Sequence, residues 1–215
     1  MPVAAGDTHM NSLSFRLRPV APFRLDLTVW ALRRRARNIV DRWDGSTYRR
    51  VFMVNGKPIE AAVVQSGPSH RPFLTVSVAG QPDFEVRKVL TELIIRVLGV
   101  RTNLEPFYEL ALGDRRLALL VEQFRGLKPP RFPSVFEALV NAIACQQLSL
   151  TVGVELLNRI AMHCGPTSSA AGVEQHAFPR AEDLVHLRPQ ANLCSPHCER
   201  PSRHDRRTGT VRGIG

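Results

Sequence analysis

Asn55-Gly56 stands between two runs of alternating apolar and polar residues, 47–54 and 58–65. Asn-Gly tolerates the two positive φ angles of a type I′ turn, so the pair predicts a tight antiparallel hairpin. Residues 72–79 predict a third strand, with Leu74, Val76 and Val78 opposed to Phe73, Thr75 and Ser77. Upstream, Leu25, Leu27 and Val29 alternate with Arg24, Asp26 and Thr28, which predicts a half-buried strand within 15–29, entered at Pro19 and Pro22. Residues 1–12 are small and polar and read as a disordered tail.

The period then changes. Asp83 is placed to cap a helix whose stripe comprises Val86, Val89, Leu90, Leu93, Ile94, Val97 and Leu98, and Gly99 ends it. Two shorter helices are expected, one near Asn103 with Leu104, Phe107, Leu110 and Ala111, the other near Asp114 with Leu117, Leu120, Val121 and Phe124. Residues 13–128 therefore read as an α+β domain, an antiparallel sheet packed with helices. Pro129, Pro130 and Pro133 make 127–133 a linker. Beyond it the pattern is helical. Ser134 and Glu137 form a capping box before a stripe of Phe136, Leu139, Val140 and Ile143. Gln146, Gln147, Leu148 and Ser149 break the phase, and Val152, Leu156 and Ile160 resume it. Two helices joined by a tight turn at 146–149 are expected, the second stopped by Gly165-Pro166, with a short third helix at 182–187.

The chain of 215 residues carries a formal net charge of +10, most of its basic residues being arginine. That excess suits a polyanionic partner, since arginine and lysine neutralise phosphates; a solvated basic surface is the alternative. No apolar run reaches the roughly 18 residues of a membrane-spanning helix, so no membrane role is expected. Cys145, Cys164, Cys194 and Cys198 read as reduced and intracellular. The spacing of Cys194, His197, Cys198 and His204 matches no common zinc pattern. Within 190–215 only 6 of 26 residues are apolar, which predicts a disordered tail.

The segment FPSVFEALVNAIACQQLSLTVGVELLNRI, residues 132–160, closely resembles the entry to the catalytic domain of the DNA-3-methyladenine glycosylase II family, the helix-hairpin-helix base-excision DNA glycosylases. PFRLDLTVWALRRR at 22–35, with the basic hairpin, sheet and helix behind it, resembles that family's small N-terminal domain, and the likeness runs through 15–188. The resemblance implies a monomeric, cytoplasmic, nucleoid-associated protein. Its partner would be double-stranded DNA with alkylated bases, its action the flipping and release of an alkylated purine by N-glycosidic hydrolysis. No metal or organic cofactor is implied.

Flipping costs a few kcal/mol of stacking and pairing, and a side chain must fill the gap left behind. By the resemblance that wedge falls at Gln147 or Leu148, with Gln146 and Ser149 completing a DNA-binding turn; the alternative is that the glutamines merely end a helix in water. Trp30 would stack on a cationic base in the pocket, or else it is a core tryptophan. Family members carry further helices, a hairpin with a Gly-hydrophobic-Gly turn, and a catalytic Asp beyond it. Here residues 212–215 read as the first half of such a turn, so no residue takes the catalytic role; neither Asp183 nor Asp205 is nominated. Residues 132–189 are thus expected to be the first helices of an incomplete helical domain, through a frameshift or deletion near Pro189 or because the chain is a fragment. That domain is expected to fold poorly. Whether the chain is an enzyme is left open, and a non-catalytic double-stranded DNA-binding module is the alternative.

Overall fold

A computed structural model describes residues 12–169 and 173–185, all within one unit of the chain. The expected tails at 1–12 (Ser12 excepted) and 190–215, including Cys194, His197, Cys198 and His204, lie outside the described residues.

The Asn-Gly turn forms as anticipated, with φ of 48° at Asn55 and 76° at Gly56. It joins β3 (Thr47–Val54) to β4 (Lys57–Ser66), in the order of a sheet that runs β1 (Ser12–Leu17), β5 (Phe73–Ala79), β4, β3, β2 (Arg42–Trp43). Every pairing is antiparallel. Leu74, Val76 and Val78 of β5 are buried, as their alternation requires. Helix α2 (Phe84–Val97) covers the sheet through Leu90, Ile94 and Val97, and Asp83 caps it by accepting the Val86 amide at 2.8 Å.

The expected strand at 25–29 is instead part of helix α1 (Leu25–Arg33). Leu25, Thr28, Val29 and Leu32 are its buried positions, the i, i+3, i+4, i+7 spacing of one helical face. Leu25, Leu27 and Val29 also fit a period of two, and five residues are too few to separate the periods. Thr28 is the discriminating residue: its Oγ1 donates to the Arg24 carbonyl at 2.8 Å and accepts the Lys128 amide at 3.1 Å.

Helices α3 (Glu105–Ala111) and α4 (Arg115–Phe124) form near the expected starts, with different faces buried. Tyr108 and Ala111 are the buried residues of α3, whereas Leu110 is 77% exposed, and α4 buries none of its residues fully. The linker is irregular as anticipated, yet Lys128 is fully buried under Gly99 and donates from Nζ to the Thr102 carbonyl at 2.7 Å. Burial lowers the pKa of this ammonium. Helices α5 (Val135–Cys145) and α6 (Leu150–Cys164) follow, then a small sheet of β6 (Thr167–Ser168) and β7 (Gln175–His176), and a single turn α7 (Ala181–Leu184).

Candidate nucleic-acid interface

The turn between α5 and α6 is built by backbone conformation and caps. Ser134 starts α5 by accepting the Glu137 amide on Oγ at 3.1 Å. At its other end Gln146 leaves helical geometry, Gln147 takes a positive φ of 56°, and Ser149 is extended. Ser149 Oγ then accepts the Val152 amide at 3.3 Å and opens α6. Gln146, Gln147, Leu148 and Ser149 are all exposed. The bend is therefore neither a continuous rod nor buried against the sheet. Gly153 lets α6 approach α5 closely: a Cβ there would lie 2.7 Å from Cys145 Sγ and 2.9 Å from the Ala144 carbonyl oxygen.

The stripes expected for this pair hold in part: Phe136, Val140 and Ile160 pack against the buried cluster of Val40, Leu157, Ala161 and Phe178. Leu139, Ile143 and Val152 are exposed, and the fully buried residues of α5 are Glu137 and Asn141. On α6 they are Gly153, Val154, Leu157, Asn158 and Ala161. The reason is a polar seam to the N-terminal half. Arg50, on the core face of β3, holds Glu137 with Nη2 at 2.6 and 2.7 Å and Asp41 with Nη1 at 2.7 Å; the Tyr48 hydroxyl also donates to Asp41 at 2.8 Å. Burial raises the pKa of Glu137 against the opposing charge of Arg50. Glu137 therefore does not close a capping box. Asn158 accepts the Ile39 amide at 3.2 Å and donates to the Arg37 carbonyl at 2.8 Å, tying the loop after α1 to α6.

The arginine run ending α1 is not a free basic patch. Arg34 adopts φ 62° and reaches α5, donating from Nη2 to Asn141 Oδ1 and from Nη1 to Cys145 Sγ at 3.4 Å. Arg35 Nε donates to Thr151 Oγ1 on α6 at 3.1 Å. One turn earlier, Trp30 is 63% exposed and stacks on Phe124 with centroids 5.9 Å apart, so it is not a core residue. It borders a cleft of about 530 Å³ shared with Asp26, Arg33, Arg34, Arg35 and Trp43. Trp30 and the bend are thus linked through α1 and its arginines.

Sequence reasoning missed Arg50, Asn141 and Asn158. Their signal was a polar residue at a helix or strand position in phase with buried neighbours. Among the described residues the one buried aspartate, Asp41, is spent on Arg50 and Tyr48. Asp183 pairs with Arg180, whose hydrogen bonds hold its carboxyl below the usual value. The described residues contain no cluster of metal-ligating side chains and no helix long and apolar enough to cross a membrane.

The described residues thus form a five-stranded antiparallel sheet joined to a bent helical pair. The chain is 28% identical over 103 residues to DNA-3-methyladenine glycosylase of Bacillus subtilis (strain 168), covering 48% of this chain and 34% of the relative. Among solved structures it is similar to the 3-methyladenine DNA-glycosylase from Archaeoglobus fulgidus, with a TM-score of 0.67, 22% identity, 79% of this chain and 57% of that one. The Clostridium acetobutylicum 8-oxoguanine glycosylase/lyase, in complex with dsDNA containing cytosine opposite 8-oxoG, superposes with a TM-score of 0.59 at 18% identity, over 81% of this chain and 54% of that one. No family model matches the chain. Its match spans about a third of the length of the curated relative, and the likeness to the solved glycosylases is one of fold.

Proposed function

We propose that the described residues form the lesion-recognising front of a base-excision DNA glycosylase for alkylated purines, and that this chain does not itself cut the glycosidic bond. The observation that carries the reading is the exposed 146–149 bend on a close-packed helical pair. Gln147 or Leu148 would enter the stack in place of the flipped nucleotide, and Gln146 and Ser149 would flank it. A rigid mount matters because the inserted group must offset the few kcal/mol of lost stacking. Trp30, exposed beside the arginines of α1, would meet the base by its π face. The described residues within 13–128 act as an α+β platform, and those within 132–185 as a mainly helical part. No described aspartate is nominated as the catalytic carboxylate. The partner is double-stranded DNA, met by a monomer in the cytoplasm at the nucleoid.

A second reading, a non-catalytic DNA-binding module, is favoured by the arginine-rich net charge of +10. One assay separates the two. Duplex DNA with and without a single methylated purine is titrated with the chain, and base release and binding are measured together across salt concentrations. The proposal expects tighter binding to the lesion and no release. Release would overturn the loss of chemistry. Equal binding to both duplexes favours the module, and absence of salt-sensitive binding sinks both.

A further inference from the structure

We propose that Arg34 and Arg35 act as a two-pronged clasp that fixes the pitch of the 146–149 bend, as positioning residues and not as phosphate ligands. The inference rests on the reading of the bend as a wedge. The first prong is Arg34, whose fork holds Asn141 and Cys145 in the last turn and a half of α5. The second is Arg35 on Thr151, in the first turn of α6. The two anchors therefore lie on opposite sides of the bend, and two consecutive residues directly after α1 hold both. A planar guanidinium suits this task because it presents several donors in a fixed plane. Asn141 is itself pinned, donating from Nδ2 to the Glu137 carbonyl at 2.9 Å, so the Arg34 prong closes on a buried, oriented acceptor.

The arrangement also gives the two candidate DNA contacts a common mount. Arg34 donates its amide to the Trp30 carbonyl at 3.1 Å, which continues α1 directly into the clasp. Movement of the bend would then be felt at the Trp30 cleft.

The test compares the full chain with Arg34→Ala, Asn141→Ala and Thr151→Val. The last two break the clasp without removing a basic residue. Free of DNA, ¹⁵N relaxation is read at Gln147 and Leu148. Order parameters are expected to fall from about 0.85 to below about 0.6 in each variant, while the centre of α6 stays rigid. Unchanged order parameters in Asn141→Ala and Thr151→Val overturn the clasp, even if Arg34→Ala fails to fold. On a duplex carrying 2-aminopurine, each variant is expected to lose several-fold of the fluorescence rise at saturating protein. The slope of log K against log salt is expected to stay that of the wild type. A slope reduced by about one in Arg34→Ala alone assigns Arg34 to a phosphate and also overturns the proposal. If the wild-type chain gives no 2-aminopurine signal, the wedge reading fails, and the order parameters still decide the clasp.

Discussion

At the residue scale, the most consequential side chain is Arg50, a guanidinium with 1% of its side chain exposed, flanked by Asp41 and Glu137. Removing Glu137 takes two charge-assisted hydrogen bonds from a buried guanidinium that water does not reach, whereas replacing the set by apolar groups need not cost stability. Glu137→Ala is therefore expected to destabilise by about 3–5 kcal/mol, read as a shift in the urea midpoint. Arg50→Met, Asp41→Leu and Glu137→Leu together should recover much of it. A Glu137→Ala midpoint equal to wild type would show that the seam contributes nothing. Asp44 is the opposite kind of carboxylate, fully at the surface. The amides of Ser46 and Thr47 donate to it at 3.0 and 2.8 Å and hold its pKa at about 2 against an ordinary 3.8. A pKa depressed on folding contributes stability that is present above the ordinary value and lost as pH falls through the folded one. Asp44→Asn is expected to flatten the melting temperature between pH 4 and 2, and an unchanged acid limb would remove Asp44 from the account.

At the element scale, Gly153 decides how closely α5 and α6 pack. In an ordinary exposed helix, Gly→Ala gains about 1 kcal/mol. Here the new methyl would meet Cys145 Sγ at 2.7 Å and a carbonyl oxygen at 2.9 Å, so overpacking dominates and Gly153→Ala is expected to lose about 1–3 kcal/mol. Adding Cys145→Ala should relieve only part of the loss, because the backbone contact remains; thermal melts of the two variants check both signs. Elements with strong local chemistry were legible: the Asn-Gly hairpin, the Asp83 cap, the alternation of β5 and the break at 146–149. Helix α1 was not, because Leu25 to Val29 satisfies both periods until Thr28 and Leu32 are known to be inside. The faces of α5 and α6 were legible at Phe136, Val140 and Ile160 but not at Leu139, Ile143 and Val152, for a related reason. Periodicity places apolar residues inward, and here Glu137, Asn141 and Asn158 take those places by pairing across the seam. Of the candidate site, the position of the bend was readable from the glutamine pair. The left-handed conformation of Gln147 was not, since glutamine carries no preference for it. Nor was the reach of Arg34 across 107 residues of sequence to Asn141.

At the scale of the whole molecule, the question is what the outer faces of the helices do. Val135, Leu139 and Ile143 are 68%, 57% and 69% exposed and recur every four residues, so they form one apolar stripe along α5. Leu117 and Leu120 add a similar surface on α4, at 42% and 52%. Leaving a Leu or Ile side chain in water forgoes roughly 1.5–3 kcal/mol of burial. A few such residues together rival the roughly 5–15 kcal/mol by which domains are stable. The sheet core does not share this deficit, because Leu74, Val76, Leu90 and Ile94 are each fully buried. Stability is therefore expected to be uneven, with the sheet and α2 resisting unfolding and the α5–α6 pair opening first. Limited proteolysis should cut within α5 or α6 before any strand of the hairpin, and hydrophobic dye should bind the native chain. Leu139→Glu with Ile143→Glu should remove most of the dye signal without lowering the melting temperature, because both side chains already face solvent. A single cooperative transition in which the helical pair resists protease as long as the sheet would show that the polar seam alone stabilises the pair. In that case the exposed stripe would be a surface feature without energetic weight in this chain.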